Sequence, residues 1–258
     1  MKISIIGGGN MGGAIASGLA SGTIFAPQNI TVIDRNQKNI DALAKANING
    51  VINDYSSLSE ADIIVLAVKP WFIEEVLAKH AKSFNSKQII ISIAGGISLN
   101  QLSEWIIPDS AIYRVMPNTA IAIKESMSFV ASHNTTKEKD ELILRIFSEL
   151  GKAEFIDEKL FAAATSLASC GIAFAFRYIR AAMEGGIEMG LKSDQAKEAI
   201  IQTLRGAANL LEANNSHPEV EIDKVTTPGG ITIKGLNEME NAGFTTAVIK
   251  GLKASYVK

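Results

Sequence analysis

The sequence predicts an α/β protein: a doubly wound parallel sheet over residues 1–155, followed by an all-helical domain over residues 156–258. Three observations carry this expectation. Short β-branched apolar runs alternate with amphipathic stretches in the first half, a glycine-rich turn follows the first run, and strand patterning ends near residue 155. Continuous apolar runs, rather than alternating ones, indicate strands covered on both faces, the condition of a parallel sheet flanked by helices. The expected strands are Lys2–Ile6, Ile30–Asp34, Ile63–Val68, Gln88–Ile93, Ala111–Val115 and Met127–Ser132. Helical patterns at Met11–Ser21, Gln37–Ala46, Trp71–Lys82 and Thr136–Leu150 supply the crossovers and close the domain.

Beyond residue 155, alanine, leucine and isoleucine dominate, and Asp157–Gly190, Asp194–Asn214 and Ile231–Val257 read as helices. Gly190 and Asn214-Asn215 are the expected ends, and Ser193 or Asp194 the expected cap of the second. Leu160–Phe176 is 17 residues without charge. It contains Thr165, Ser166, Ser169, Cys170 and Gly171 and falls short of the roughly 20 apolar residues of a membrane span. It therefore reads as a buried core helix, with Cys170 a buried thiol and Phe174, Phe176 and Tyr178 core side chains.

Composition narrows the function. Lys and Arg number 25 against 27 Asp and Glu, a net charge of −2, without the basic excess of nucleic-acid binding. A hydrophobic content of 47% with 20% charged residues excludes a disordered chain. The single cysteine, Cys170, has no internal disulfide partner, which favours a reducing, cytoplasmic setting. His80, His133 and His217 lack zinc-ligand spacing, so no metal is expected. Met1-Lys2 leads into only four apolar residues, and neither a secretory signal nor a membrane contact is expected.

The strongest motif is Gly7-Gly8-Gly9-Asn10-Met11-Gly12, a G-x-G-x-x-G string between a strand and a helix, the fingerprint of a Rossmann-like dinucleotide site. Gly7 suits the tight turn, Gly9 the approach of a pyrophosphate, and Gly12 close helix–strand packing. The N–H groups of Asn10 and Met11 open the helix toward an anion. Asp34 ends the second strand 22 residues after Gly12, where a carboxylate accepts the ribose 2′-OH of NAD; Arg35 and Lys38 suit the 2′-phosphate of NADP. Spacing alone leaves the choice open, and capping of the next helix by Asp34 or Asn36 is a further role.

Two more strand ends converge on this crevice. They are Ala67-Val68-Lys69-Pro70 and the small residues Ala94-Gly95-Gly96, which admit a flat ring. Arg114 lies within a strand, where an ion pair competes with a role as substrate clamp. In the helical half, Thr226-Thr227-Pro228-Gly229-Gly230-Ile231-Thr232 reads as a threonine cap with proline at the first helical position. Its glycines expose N–H groups suited to a carboxylate.

Ile6–Gly12, Ala67–Pro70, Arg114-Val115-Met116-Pro117-Asn118-Thr119 and Val225–Thr232 occur together and in this order in pyrroline-5-carboxylate reductases, which the chain resembles from end to end. Asn241-Ala242-Gly243-Phe244 also fits. The resemblance implies NAD(P)H-dependent reduction of Δ1-pyrroline-5-carboxylate to L-proline, with NADPH favoured and NADH open, in a homodimer or higher homo-oligomer. It assigns the ring nitrogen to the hydroxyl of Thr232, and the carboxylate to the loop of Thr227, Gly229, Gly230 and Ile231. Where the family usually has Ser-Gly-Ser-Gly-Pro, this chain has Ala168-Ser169-Cys170-Gly171-Ile172; where it usually has serine, this chain has Thr227. Ile231 replaces a small residue or threonine. One rival is another dehydrogenase of the same architecture, disfavoured because no lysine lies between Lys159 and Lys192. Another is a dinucleotide-binding regulator without turnover.

Overall fold

A computed structural model describes residues 1–256. The chain divides into two compact units, Met1–Ser169 and the residues from Cys170 onward.

The first unit is built on one eight-stranded sheet of order β3-β2-β1-β4-β5-β6-β7-β8. The strands are β1 (Ile3–Ile6), β2 (Ile30–Asp34), β3 (Asn49–Ile52), β4 (Ile63–Leu66), β5 (Ile89–Ser92), β6 (Ala111–Met116), β7 (Ser126–His133) and β8 (Gly151–Phe155). All neighbours pair in parallel except β6 and β7. Strand order reverses between β1 and β4, the switch point at which a doubly wound sheet opens a crevice beyond its carboxyl ends. Ile6 pairs with both Ile33 and Leu66, so the three central strands end level there.

Burial explains the continuous apolar runs. Ile3, Ile5, Val32, Val65 and Ile91 face one layer with α1 (Asn10–Ala20), α2 (Gln37–Ala44) and α5 (Lys137–Ser148). Ile6, Ile33, Ile64, Leu66 and Ile90 face the other, with α3 (Ile73–Lys79) and α4 (Leu99–Trp105). Both sides of each central strand are buried, as a parallel sheet requires.

The sequence reading passes over β3, β8 and α4. β3 is an edge strand containing Asn49 and Gly50, and none of its residues is buried. β8 is the other edge, with Lys152 and Glu154 outward. Neither carries enough apolar residues to stand out. In α4, Ser98 and Gln101 form a capping box that the sequence does display. The expected helix Trp71–Lys82 is shorter: a 3₁₀ turn at Pro70–Phe72 precedes α3, because Pro70 fixes the entry.

The second unit holds α7 (Gly171–Glu188), α8 (Ser193–Asn214), α9 (Pro218–Val225), α10 (Ile231–Asn241) and α11 (Phe244–Ala254). The short α6 (Phe161–Ala164) and a π-helix at Thr165–Cys170 lead into α7. The expected single helix to Val257 is two, because Gly243 takes φ +81° and breaks it. The expected end at Val257 lies outside the described residues. The cap of α8 is Lys192, not Ser193 or Asp194, which already lie in the first turn.

The expectation of a buried core helix over Leu160–Phe176 fails. Glu158–Glu188 is long and apolar enough to cross a membrane by length and composition, yet 17% of its most apolar window is buried within the chain. Phe176 is 63% exposed, Phe174 and Tyr178 are also exposed, and Cys170 is half-buried. Among the described residues from Cys170 onward, only Gly186 and Ala196 are buried, where α7 meets α8. Helices this apolar need cover that their own unit does not supply.

Candidate active site

The glycine turn lies at the β1–β4 switch point. Gly7 adopts φ +108°, and a Cβ there would lie 2.7 Å from the carbonyl oxygen of Ala67, so only glycine lets these strand ends close up. At Gly12, a Cβ would overlap the carbonyl oxygen of Gly7 and stand 2.9 Å from Cβ of Ala67. Helix α1 therefore rests directly on the strand ends. Gly9 differs: a Cβ added there meets nothing within 4 Å. Gly9 is the N-cap of α1 without a side-chain cap, and Gly9 and Asn10 are exposed. The first-turn N–H groups of Asn10 and Met11 thus open onto free space, a cradle that fits a pyrophosphate.

Asp34 is more occupied than its spacing suggests. Its Oδ2 accepts from Gly8 N at 2.6 Å and Asn39 Nδ2 at 3.1 Å, and its Oδ1 from Asn36 N at 2.8 Å. Burial would raise its pKa, but these hydrogen bonds outweigh burial and hold the carboxyl below its ordinary value. The cap of α2 is Asn36, whose side chain accepts from Lys38 N at 3.0 Å. The Arg35 guanidinium stacks over Phe72 at 5.3 Å. Among the described residues, no carboxylate pairs with Arg35, Lys38 or Lys69, so these cations are free to meet an anion. Phe72 is a contributor the sequence reading missed; nothing marks it before the chain folds Pro70–Phe72 beneath Arg35.

Ala67 continues β4 by donating its N–H to the Ile6 carbonyl at 2.8 Å. Val68 and exposed Lys69 then lead to Pro70. After β5, Ala94 is buried, while Gly95 and Gly96 have open space at their Cβ positions. The carboxyl ends of β1, β4 and β5 thus present one glycine- and alanine-lined edge. Arg114 is turned to structure: its Nη1 meets Glu158 Oε1 at 2.9 Å, and its guanidinium lies over Phe161 at 4.6 Å. The same Glu158 oxygen accepts from Leu99 N at 2.7 Å.

In the second unit, the loop before α10 is a turn rather than a threonine-capped helix start. Gly230 N donates to the Thr227 carbonyl at 2.9 Å, with Pro228 and then Gly229 at φ +72° between them. This is a type II turn, and its positive φ excludes Pro228 from the helix. The helix begins at Ile231, with Gly230 as N-cap and no side chain capping it. Thr226 instead bonds back to the Ile222 carbonyl at 3.2 Å, closing α9. Gly230's N–H is committed to the turn, whereas those of Ile231 and Thr232 lie in the uncapped first turn. Ile231 is 86% exposed, and Thr232 is half-buried with a hydroxyl that no described residue bonds. The loop presents the N–H groups of Ile231 and Thr232, donors suited to a carboxylate, and a hydroxyl that can donate or accept.

Comparison with known proteins follows these two features. Residues 158–258 match the family model described as pyrroline-5-carboxylate reductase dimerisation, and residues 2–96 the one described as NADP oxidoreductase, coenzyme F420-dependent. Pyrroline-5-carboxylate reductase 1 of Dictyostelium discoideum is 39% identical over 98% of this chain, which spans about half (48%) of that relative's length. The pyrroline-5-carboxylate reductase of Methanosarcina acetivorans is 35% identical over 98% of this chain and 96% of its own. Among solved structures, Plasmodium falciparum pyrroline carboxylate reductase with NADP bound superposes with a TM-score of 0.87 at 29% identity, covering 99% of this chain and 95% of its own. End-to-end similarity at this level, over both the glycine cradle and the threonine loop, means that the chain belongs to the pyrroline-5-carboxylate reductase family.

Proposed function

We propose that this chain reduces Δ1-pyrroline-5-carboxylate to L-proline with NADPH, the last step of proline synthesis. The carrying observation is the match to curated pyrroline-5-carboxylate reductases along nearly the whole chain. The open cradle at Gly9 and the uncapped loop at Ile231 and Thr232 fit that activity.

In this reading the dinucleotide lies on residues 1–155. Gly7 and Gly12 close the turn against the strand ends so that Gly9, Asn10 and Met11 receive the pyrophosphate, and Ala67–Pro70 with Ala94 and Gly95 flank the nicotinamide half. With the oxygens of Asp34 engaged by Gly8, Asn36 and Asn39, the unpaired Arg35 and Lys38 favour a 2′-phosphate. When bound, NADPH supplies the hydride for the imine carbon.

The protein's part is positioning and hydrogen bonding. An imine is basic enough to arrive protonated, so no buried acid is required. The open N–H groups of Ile231 and Thr232, presented by the turn through Gly229 and Gly230, hold the substrate carboxylate, Thr227 stands beside them, and the hydroxyl of Thr232 contacts the ring nitrogen. Well-oriented positioning supplies roughly 7–11 kcal/mol of barrier reduction, which is why so few charged groups suffice.

Residues 156–258 carry the substrate and subunit contacts in this reading. The exposed apolar faces of α7, α10 and α11 and the dimerisation match support a homodimer as the minimum unit. The single cysteine suits a reducing cytoplasm. The test is spectrophotometric: adding Δ1-pyrroline-5-carboxylate should oxidise NADPH and yield proline. A protein that binds the dinucleotide but shows no imine-dependent oxidation with NADPH or NADH would instead be a regulator.

A further inference from the structure

The chain passes from the first unit to the second between Ser169 and Cys170, inside the π-helix Thr165–Cys170. A π-turn is rare and occurs mostly as a single interruption of an α-helix, frequently at functional sites. It exists only where its surroundings favour it over the α register. Here the surroundings include one side chain from the loop after β6. Asn118 donates from Nδ2 to the carbonyl oxygen of Ala168, at 3.2 Å. In an unbroken α-helix that oxygen would take the N–H of Ile172, four residues on.

Asn118 is 5% exposed, and its remaining polar groups are committed as well. Its Oδ1 accepts from Ala120 N at 3.0 Å, and its own N–H donates to Ser126 Oγ at 3.0 Å. The oxygen's bond to Ala120 fixes the direction of the amide and leaves the nitrogen aimed at Ala168. Ile172 keeps an N–H, which permits the α register that a proline there would forbid.

We propose that Asn118 is a positioning residue that holds the π-turn and so sets the helical register in which the chain enters α7. Reversion to the α register would rotate the following residues by about 100° and shift them about 1.5 Å along the axis. A misplacement of about 1 Å far from the chemistry can cost on the order of 100-fold in rate. The kinetic readout rests on the proposed reductase activity; the register itself does not.

Asn118→Asp isolates the donor, because the carboxylate still accepts from Ala120 but cannot donate to Ala168. Loss of one hydrogen bond holding the register should lower kcat by roughly threefold to tenfold, with KM for NADPH nearly unchanged. The sole thiol, Cys170, lies in the turn, so its rate of reaction with an aromatic disulfide reagent should shift as well. Ile172→Pro removes the N–H that the α register needs. Added to Asn118→Asp, it should return kcat and the thiol rate toward wild type while the melting temperature stays lowered, and alone it should leave kcat near wild type. An Asn118→Asp variant with wild-type kcat and thiol rate would overturn the proposal, as would a folded double variant as slow as the single one. If the wild-type protein does not oxidise NADPH with the imine, the reductase reading fails, and the thiol rates still decide the register.

Discussion

Gly9 and Gly12 belong to the same motif, yet alanine at each should fail in a different way. Gly9 has φ −67° and ψ −168°, a conformation open to any residue, and its Cβ position is empty to 4 Å. Gly9→Ala therefore costs the folded chain nothing and restricts the unfolded one, changing stability by about 0 to +1 kcal/mol. If the pyrophosphate approaches the backbone there, the added methyl overpacks the complex by about 1–3 kcal/mol, raising KM for NADPH by about 5- to 150-fold. Gly12→Ala meets the Gly7 carbonyl and, at 2.9 Å, Cβ of Ala67, neither of which is the free end of a flexible side chain. Helix and strand must part, at a cost of about 1–3 kcal/mol or more. At roughly 2–4 °C per kcal/mol for a chain of this size, Gly12→Ala should melt several degrees lower. Thermal melts and NADPH titrations on both variants separate the effects. A Gly9→Ala protein with unchanged cofactor affinity would refute the cradle, and a Gly12→Ala protein with the wild-type melting temperature would refute the packing argument.

Replacing Arg35 and Lys38 with alanine should raise KM for NADPH more than for NADH, because neither cation has a carboxylate partner among the described residues; equal effects on both cofactors would remove them from the 2′-phosphate site. Thr232→Ala should lower kcat/KM by about 10- to 100-fold with little change in melting temperature, since its hydroxyl bonds no described residue, and Thr232→Ser should keep most activity. An unchanged kcat/KM in the alanine variant would show that the hydroxyl does not reach the substrate. Light scattering at micromolar concentration should show a dimer or larger; a stable, active monomer would contradict a subunit role for the exposed faces of α7, α10 and α11.

What the sequence displays depends on how much local chemistry an element needs. The central strands are legible because both faces are buried, so β1, β2, β4 and β5 read as runs dominated by isoleucine, valine and leucine, with Ser4, Thr31 and the terminal Asp34 and Ser92 as the exceptions. The edge strands β3 and β8 bury little, and their sequences, Asn-Gly-Val-Ile and Gly-Lys-Ala-Glu-Phe, carry no comparable pattern. The glycine motif is equally legible, since Gly7 and Gly12 answer to steric demands that no other residue meets. Asp34 is not: its spacing marks a ribose ligand, but Asn36 and Asn39 lie close enough in sequence to claim its oxygens once α2 forms.

The helical half shows the sharper limit. Periodicity reports that Phe174, Phe176 and Tyr178 are apolar and helical, but not which molecule covers them. Within one chain they are exposed, so the inference from hydrophobic to core holds only for the assembly that completes the surface. The loop before α10 fails for a different reason. Thr226, Thr227 and Pro228 carry the composition of a capped helix start, and one dihedral, φ +72° at Gly229, converts them into a turn. That dihedral moves the helix start to Ile231 and leaves Thr232 in the uncapped first turn with its hydroxyl unspent. A Thr227 cap would have consumed the Thr227 hydroxyl, whereas in the turn no described residue bonds it.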